Sequence, residues 1–478
     1  MPDTVAELLR GCTERPLLIC DDERISYAEA ERRSASVARG LIALGCGKGT
    51  HVGLLHPNGV EFVVAALAAA RIGAVVVPYS TFLTTRELEH QLRDSDTEIL
   101  LSARAYRSHD YVRRLAEVDA PCLRHVLFDL PTADEPRLAD HEADVDGCDP
   151  LVIVYTSGST GAPKGAVHTH ESLIGHQRNL NAIRGLTADD RLFCNSPFCW
   201  IGGFGFALLA TVVAGATLIC SNATDAGVTL DLLETEKPTI TNGFVAGIAH
   251  LTRHPSYPDR TFTARRGNLY PLMAPDARPA DPELRHNMLG LTEAGSVLLL
   301  SSDETDQPER RRGSFGRPAP GFDTLVLDTG ELCIRGPYVM QGYYGRNRED
   351  CFDTDGWFHT GDLVRVDGEG YFYFRGRAGA MIKTAGANVT PGEVEKALAE
   401  HGFTAHVIGL ADADRGQIVA AVIVSDNPVD VDTLRAALRD KLSAYKVPRA
   451  FAVCAPEDLP MLASGKVDRS ALTRFFDA

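Results

Sequence analysis

The chain has 478 residues and is acidic, with 48 Lys and Arg against 64 Asp and Glu and a formal net charge of −16. A protein that neutralises many phosphates of a nucleic acid needs a basic face, so this balance disfavours a nucleic-acid binder and favours small substrates. Hydrophobic residues make up 44% of the chain and charged residues 23%, which excludes disorder for all but short segments.

The cysteines and the N-terminus indicate the compartment. The 11 cysteines form no C-x-x-C pair and no His/Cys group at zinc-finger spacing, so neither a metal site nor a disulfide framework is indicated. The first residues, MPDTVAELLRGCTERP, lack a basic region followed by an apolar stretch, so no secretory signal is predicted. We expect a cytoplasmic protein with reduced thiols.

Helical and strand patterns alternate in the first 125 residues. The predicted helices are Tyr27–Leu44, Val60–Arg71 and Thr85–Asp94, and the β-rich runs are HVGLL, AVVVP and EILLS. This alternation predicts a layered α/β architecture. Residues 128–150 hold eight acidic residues against one arginine, which predicts a solvated connector.

A long uncharged stretch runs from Asn195 to Thr224, and its apolar part is nearly as long as a membrane span. Glycines interrupt it, Gly203 and Gly215 among them. The pattern therefore predicts a helix over 204–213, ended by Gly215 and followed by the buried strand ATLIC, and no membrane span.

The character of the sequence changes at Gly376. Beyond it the chain reads as an amphipathic helix, two strands and a further helix with Leu434, Leu438 and Leu442 on one face. We predict an N-terminal domain over 1–376 and a small α+β domain over 377–478.

The sharpest motif is the loop TSGSTGAPKG, which follows the buried strand LVIVY directly. Three glycines let the backbone turn tightly and aim its N–H groups into one concavity, while hydroxyl groups and Lys164 complete a cradle for phosphate. The loop does not match the Walker A pattern. A flexible linker is the alternative, but linkers do not usually follow a buried strand.

Six motifs in order resemble the adenylate-forming superfamily, which includes acyl-CoA synthetases, peptide-synthetase adenylation domains and firefly luciferase. They are YTSGSTGAPKG, GLTE at 290–293, GELCIRGPYVMQGYY at 331–344, GWFHTGDL at 356–363, GRAGAMIKTAGANVTPGEVE at 376–395 and LPMLASGKV at 459–467. The resemblance implies an α/β fold, with a large multi-sheet N-terminal adenylation domain and a small mobile α+β C-terminal domain. It also places the hinge near Gly379.

The resemblance implies a two-step reaction. A carboxylate attacks the α-phosphorus of ATP, giving an acyl-adenylate and pyrophosphate, and a thiol then displaces AMP. ATP, Mg²⁺ and coenzyme A are the implied cofactor and co-substrates, and Mg²⁺ with the loop would neutralise the departing pyrophosphate.

Motif matches assign a role to each candidate residue. The residues implied to bind the nucleotide phosphates are Thr156, Ser157, Gly158, Ser159, Thr160, Gly161 and Lys164. Glu293 is the implied Mg²⁺ ligand, and Thr292 beside it contacts phosphate. Asp362 would accept hydrogen bonds from the ribose hydroxyls, and Arg377 would contact ribose or phosphate.

Residues of the C-terminal domain are implied in catalysis. Lys466 resembles the lysine that bridges the carboxylate and the α-phosphate when the small domain closes. Lys383 and Gly386 lie by motif match near the path of the incoming thiol, on a face presented after the domain rotates.

The chain departs from the family pattern in two places. Gly379 stands where Asp or Lys is usual at the hinge, and Leu289 stands where an aromatic residue usually stacks on adenine. The segment before Leu289 is also shorter and richer in proline than usual, so we assign no adenine contacts to it.

The segment SPFCWIGGFGF corresponds to the acyl pocket of the family. The predicted pocket residues are Phe198, Trp200, Gly203 and Phe204, with Phe206 on the same wall. No Asp stands there to hold an ammonium group, so we predict an uncharged, hydrophobic carboxylic acid. For the aromatic residues other than Trp200, a plain core role is the alternative.

The acceptor is inferred to be coenzyme A, because no carrier domain fits after residue 467. Two alternatives stay open: a freestanding ligase that loads an acyl carrier protein, and a ligand-binding pseudoenzyme that has lost turnover. A homodimer is also left open.

Overall fold

The computed structural model describes residues 3–11, 13–156, 163–377, 381–460 and 467–476. These residues form two compact units. Unit 1 takes in the described residues of Met1–Thr81, Leu92–Tyr155 and Gly165–Gly376, and unit 2 those of Phe82–Gln91, Thr156–Lys164 and Arg377–Ala478. Among the described helices, none is long and apolar enough to cross a bilayer.

The α-helices follow one another along both units. In chain order they are α1 (Val5–Leu8), α2 (Tyr27–Ala43), α3 (Val60–Arg71), α4 (Thr85–Asp94), α5 (Tyr111–Leu115), α6 (Leu138–Ala143), α7 (His170–Arg184), α8 (Ile201–Gly203), α9 (Ala210–Ala214), α10 (Ala226–Glu236), α11 (Ala249–Thr252), α12 (Pro391–Ala399) and α13 (Val431–Arg439).

The β-strands are short and dispersed. They are β1 (Pro16–Cys20), β2 (Glu23–Ser26), β3 (His51–Leu55), β4 (Val75–Pro78), β5 (Ile99–Ser102), β6 (Ala105–Tyr106), β7 (His109–Asp110), β8 (His125–Leu127), β9 (Pro150–Thr156), β10 (Lys164–Thr169), β11 (Arg191–Cys194), β12 (Thr217–Cys220), β13 (Ile240–Asn242), β14 (Arg266–Gly267), β15 (Leu289–Leu291), β16 (Ser296–Leu300), β17 (Arg317–Pro318), β18 (Asp323–Val326), β19 (Glu331–Arg335), β20 (Gly342–Tyr343), β21 (Phe358–Val366), β22 (Phe372–Arg377), β23 (Ile382–Thr384), β24 (Ala387–Val389), β25 (Thr404–Asp412), β26 (Gly416–Val424) and β27 (Ala450–Cys454).

Two large sheets build the centre of unit 1. Their strand orders are β14-β13-β11-β12-β1-β2 and β20-β10-β9-β4-β3-β5-β8. The pairs among β14, β13, β11, β12 and β1, and those joining β9, β4, β3, β5 and β8, are parallel. Parallel strands are buried on both faces, which explains the continuous apolar runs HVGLL, AVVVP and LVIVY. Smaller sheets, β15-β16-β17 and β18-β19-β21-β22, complete the unit.

Helix α3 lies inside the core of unit 1, with every residue from Phe62 to Arg71 buried. Burying the cation of Arg71 requires partners, and its guanidinium pairs with Glu31 at 3.0 Å and with Glu142 at 2.5 Å. Glu142 belongs to α6, whose Leu138 is also buried. The predicted connector over 128–150 thus contains a helix that is mostly solvent-accessible, but its Leu138 is buried and its Glu142 forms a partly buried ion pair.

The predicted helix over 204–213 differs from the prediction in its first part. The chain enters α8 at Ile201, continues as a π-helix over Phe204–Leu209, and returns to α-helical geometry in α9. It ends at Gly215 as predicted, with φ of 71°. Apolar periodicity cannot distinguish a π-turn from an α-turn, and such turns are frequent at functional sites.

Unit 2 is an α+β structure. Its sheet has the order β24-β23-β26-β25, with β27 added along β26. The predicted apolar face is confirmed for Leu434 and Leu438 of α13, whereas Leu442 is buried beyond the end of the helix at Arg439. The segment Phe82–Gln91, which contains most of α4, packs with this C-terminal portion.

Candidate active site

The two ends of the phosphate loop are fixed by strands. Thr156 is the last residue of β9, and Lys164 is the first residue of β10. Residues 151–154 of β9 are buried, so the strand that delivers the chain to the loop is held by the core. Ser157, Gly158, Ser159, Thr160 and Gly161 lie outside the described residues, and their assignment stays a prediction.

Glu293 lies in a short 3₁₀ turn, Thr292–Ala294, that joins β15 to β16. Its side chain is 7% exposed. The Tyr343 hydroxyl donates a 2.6 Å hydrogen bond to Oε1, and the Met340 N–H donates to the Glu293 carbonyl at 2.8 Å. Among the described residues, Oε2 accepts no hydrogen bond. One oxygen of this buried carboxylate is thus held by the protein, and the other remains for a ligand.

The same turn is held from behind by His168 of β10. Its Nε2 donates to the Thr292 carbonyl at 2.7 Å, and the ring is fully buried. Burial lowers the pKa of His168 to about 4, so the ring is neutral and its N–H donates rather than titrates at neutral pH. Thr292 and Glu293 are therefore positioned by a strand 124 residues earlier in the chain.

Helix α7 holds the start of β16, the strand that follows the Glu293 turn. The Gln177 amide donates to the Gly295 carbonyl at 3.1 Å and to the Ser296 hydroxyl at 3.3 Å. Ser296 has φ of 142°, a region that favours glycine, and such strain persists only where surrounding contacts enforce it. The chain is thus fixed on both sides of Glu293.

Asp362 lies within β21 and not in a turn. The alternating burial of this strand places Thr360 and Asp362 on the buried face, and Asp362 is 3% exposed. The strand register shifts between Glu331 and Cys333 of β19, and Gly361 at the irregularity has φ of 70°. A glycine is needed there because the bulge requires positive φ, and the bulge sets the direction of the Asp362 carboxylate.

The predicted acyl-pocket residues occupy different environments. Phe198 is core, with its ring 5.5 Å from that of Phe62, and Phe204 is buried in the same cluster. Trp200 is half-buried and contacts the Phe244 ring edge to face at 5.6 Å. Phe206 lines a cavity together with Asn242 and Met288.

Glycines let the acyl segment approach its neighbours closely. A Cβ at Gly203 would lie 2.0 Å from the Pro197 carbonyl oxygen, so only glycine fits. A Cβ at Gly205 would lie 3.2 Å from the Gly295 carbonyl oxygen, at the turn that carries Glu293. The structure therefore brings the acyl segment and the Glu293 turn together.

The remaining predicted residues belong to unit 2. Arg377 ends β22, and its side chain lies outside the described part of the chain. Lys383 is exposed on β23, and its N–H donates to Gln417 at 2.8 Å. Gly386 forms a two-residue hairpin turn with Ala385, with φ of 87° and 48°. Two positive φ angles are typical of a type I′ turn, which gives Gly386 a structural reason besides the predicted thiol path. Gly379 and Lys466 lie outside the described residues.

Sequence reasoning missed Tyr343 and His168. Tyr343 stands in the motif ending MQGYY, and His168 in HTHESLIGHQ, which is rich in histidine. Both signals were visible, but a contact between residues 50 or 124 positions apart depends on the tertiary fold.

Comparison with known proteins identifies the family. The AMP-binding enzyme model matches residues 6–344, and the model of the AMP-binding enzyme C-terminal domain matches residues 393–466. The chain belongs to this family, the adenylate-forming superfamily, so the resemblance found in the sequence is confirmed.

Known relatives match nearly the whole chain. The chain is 32% identical to a feruloyl-CoA synthase of an Amycolatopsis species, over 95% of this chain and 94% of the relative. It is also 32% identical to the long-chain-fatty-acid–CoA ligase FadD13 of Mycobacterium tuberculosis, over 96% of this chain and 94% of the relative. The protein is an AMP-forming acid–thiol ligase of the acyl-CoA synthetase class.

Solved structures match over almost the full length. A Mycobacterium tuberculosis fatty acyl CoA synthetase superposes with a TM-score of 0.67 at 28% identity, covering 99% of this chain and 98% of that one. An o-succinylbenzoate CoA synthetase of Bacillus subtilis gives a TM-score of 0.79 at 25% identity, covering 99% and 98%. The predicted α/β fold, with a large N-terminal and a small C-terminal part, is confirmed.

Proposed function

We propose that this enzyme activates an uncharged, largely hydrophobic carboxylic acid with ATP and transfers the acyl group to coenzyme A. In the first step a carboxylate oxygen attacks the α-phosphorus, and the bond to the bridging oxygen breaks to release pyrophosphate. In the second step the thiolate sulfur of coenzyme A attacks the acyl carbonyl carbon, and AMP leaves with the electron pair of the broken C–O bond. The feruloyl and long-chain relatives make aryl and fatty acids the first acids to test.

The observation that carries this proposal is the buried Glu293 carboxylate, fixed through Oε1 and open at Oε2. A hard oxygen ligand suits Mg²⁺, which usually takes one or two carboxylates plus the phosphates of a substrate. No group of three His, Cys, Asp or Glu suited to a metal occurs among the described residues, which agrees with a metal shared with the nucleotide. When bound there, Mg²⁺ would supply positive charge against the departing pyrophosphate.

The other residues act by binding and orientation. Thr156, Lys164 and the loop between them would hold the phosphates, with Thr292 beside them. Asp362 would hold the ribose hydroxyls, and Arg377 would contact ribose or phosphate. Lys466 would bring its cation to the α-phosphate, and Lys383 and Gly386 would line the thiol path. Two domains, 1–376 and 377–478, would rotate about Gly379 between the steps.

The test is pyrophosphate release across aryl, alicyclic, fatty and amino acids, each with and without coenzyme A. We expect turnover to require an apolar acid and coenzyme A together. Adenylate formation without a thioester product would instead favour a carrier-protein acceptor, and silence across the panel would favour the pseudoenzyme.

The variant Lys466→Ala tests the role proposed for Lys466 in adenylate formation. We expect pyrophosphate release to fall by more than about 100-fold, because a positioned charge on the transferring phosphoryl group contributes at least that much. Lys441→Ala, which removes an exposed partner of Glu400, is the control. Wild-type release by Lys466→Ala would contradict the assigned role.

A further inference from the structure

A small cavity of about 50 Å³ opens in unit 1 beside the acyl segment. Asn242 and Gly267 line it, and they are the last residues of the parallel strands β13 and β14. Ligands of open α/β sheets bind at the carboxyl ends of parallel strands. Phe206 of the π-helix also lines the cavity, so its location suits the far end of an acyl group.

The wall of the cavity has an apolar part and a polar part. Phe206, Met288 and Leu300 form the apolar part, whereas Arg184, Asn242 and Glu304 belong to the polar part. An acyl group that enters this space contacts both apolar side chains and hydrogen-bonding groups. A purely apolar acid adds no hydrogen bond to these polar groups and takes water away from those of their atoms that lack a partner in the protein, which costs free energy.

Arg184 is an unusual residue in this wall. It is 8% exposed, and it forms no ion pair with any described carboxylate. Its guanidinium donates at 3.0 Å to Asn242 Oδ1, Asn181 Oδ1 and the Phe206 carbonyl, and it lies 4.1 Å from the Phe206 ring centroid. Its Nε has no hydrogen-bond partner among the described residues.

Two other polar side chains of the wall can form further hydrogen bonds. Asn242 uses Oδ1 for Arg184, and its Nδ2 donates to no described group. Glu304 accepts from the Gly267 N–H at 3.2 Å through Oε2, and its Oε1 accepts from no described group. Burial raises the pKa of Glu304. Arg184 and Asn242 therefore offer donors, and Glu304 offers an acceptor.

We propose that this cavity receives the far end of the acyl group and that the natural acid carries a hydroxyl group there, bound by Arg184 and Glu304. This inference rests on the proposed function. A hydroxyl both donates and accepts hydrogen bonds, which matches the two kinds of group in the wall. A second carboxylate would face Glu304 with like charge, and a methyl group would leave the Nε of Arg184 and the Oε1 of Glu304 without a hydrogen-bond partner.

The first test compares acids that differ only in this group. Wild-type kcat/KM with coenzyme A is measured for 4-hydroxycinnamic against cinnamic acid, and for 4-hydroxycyclohexyl-propanoic against cyclohexyl-propanoic acid. We expect the hydroxylated acid of at least one pair to be used 10-fold or more better, because a site built to bind a hydroxyl discriminates against its absence.

The outcomes separate this inference from the proposed function. Equal or better use of the unhydroxylated acid in both pairs overturns the hydroxyl assignment and leaves the ligase activity standing. A preference for the acid with a second carboxylate, 4-carboxycinnamic acid, also overturns it. No turnover with any acid refutes the proposed function, and the inference falls with it.

Two variants test whether Arg184 and Glu304 cause the preference for the hydroxylated acid. Arg184→Gln and Glu304→Gln should each reduce the ratio of kcat/KM for hydroxylated over unhydroxylated acid by at least threefold. Arg184 also contacts the π-helix, so Glu304→Gln keeps the test decisive if Arg184→Gln does not fold. Glu309→Gln, the same change at an exposed residue that pairs with Arg312, is the control. An unchanged ratio in Glu304→Gln would refute its role.

Discussion

Glu293 has its two carboxylate oxygens in different situations. Tyr343 donates to one at 2.6 Å, and the other accepts nothing from the described protein. Its motif was recognisable from the sequence, as were those of Thr292 and Asp362, because short segments with fixed spacing carry them. The restraint by Tyr343 and His168 was not predictable, since it arises between distant segments that only the fold brings together.

Glu293→Gln tests the role of the open oxygen. We expect the Mg²⁺ concentration for half-maximal pyrophosphate release to rise about 10-fold, because a neutral amide is a weaker ligand than a carboxylate. The glutamine can still accept a hydrogen bond from Tyr343, so the turn should keep its conformation. Glu171→Gln, at an exposed position of α7, is the matched control. An unchanged Mg²⁺ requirement would mean that the metal is held elsewhere.

At the scale of elements, β10 and α7 carry a group of buried histidines. Burial lowers the pKa of His168 and His170 to about 4 and that of His176 to about 3, all from 6.5. His176 Nε2 donates to the Val297 carbonyl at 2.9 Å, next to the Glu293 turn. The elements that position the site therefore depend on neutral imidazoles.

The stability of the protein should fall as the pH drops from about 6.5 toward 4. In this window the unfolded chain binds protons that the folded chain does not, so the free energy of unfolding decreases by about 1.4 kcal/mol per pH unit for each such histidine. Above pH 6.5 these histidines contribute no slope. Urea denaturation at several pH values measures the effect.

His176→Gln isolates one of these protons. Between pH 6.5 and 4, the slope of the unfolding free energy against pH should decrease by about 1.4 kcal/mol per pH unit, the contribution of one histidine. His90→Gln, at an exposed position of α4, is the control and should leave the slope nearly unchanged. A slope in His176→Gln equal to that of the wild type would show that this ring titrates alike in the folded and unfolded chain.

The large elements were predictable from sequence because their periodicity is long and regular. Helices α2 and α3 and strands β3, β4 and β5 lie where the pattern placed them. The π-helix was not predictable, because a change in hydrogen-bond register leaves the apolar pattern of the sequence intact. Helix α6 was not predictable, because a glutamate that pairs with a buried arginine looks in the sequence like any solvated acidic residue. The boundary between the two predicted domains and the movement between them stay predictions.

At the scale of the whole molecule, a buried ionic cluster connects the two parts of unit 2 that are far apart in sequence, Phe82–Gln91 and the C-terminal portion. Lys446 Nζ lies 2.7 Å from Glu87 Oε1 and 2.8 Å from Glu393 Oε1, and the Ser443 hydroxyl donates to Glu87 at 2.6 Å. Burial opposes the charge of Lys446, but Tyr445, Glu87 and Glu393 raise its pKa overall. The lysine therefore stays charged, and it offsets two carboxylates at once.

Lys446→Met should destabilise unit 2 by about 3–5 kcal/mol, because removal of one partner leaves buried charge uncompensated. Lys446→Met combined with Glu87→Gln should recover part of the loss, since one of the stranded carboxylates is then neutral. Lys441→Met, which breaks the more exposed pair with Glu400, should cost less than about 1 kcal/mol. Urea denaturation compares the three, and equal losses for the two lysine variants would contradict the buried cluster.

A protease cut or a gene truncation at residue 376 separates Phe82–Gln91 from the rest of unit 2. In the C-terminal fragment Lys446 keeps Glu393 but loses Glu87, and Ser443 loses its acceptor. A chimera that replaces only the C-terminal portion of this chain with that of a relative would leave Glu87 in place and remove Lys446 and Ser443, its partners. Unit 2 is therefore discontinuous in sequence, and an intact graft of it needs α4 along with the C-terminal portion, since Arg86 of α4 lies 314 residues before its partner Glu400.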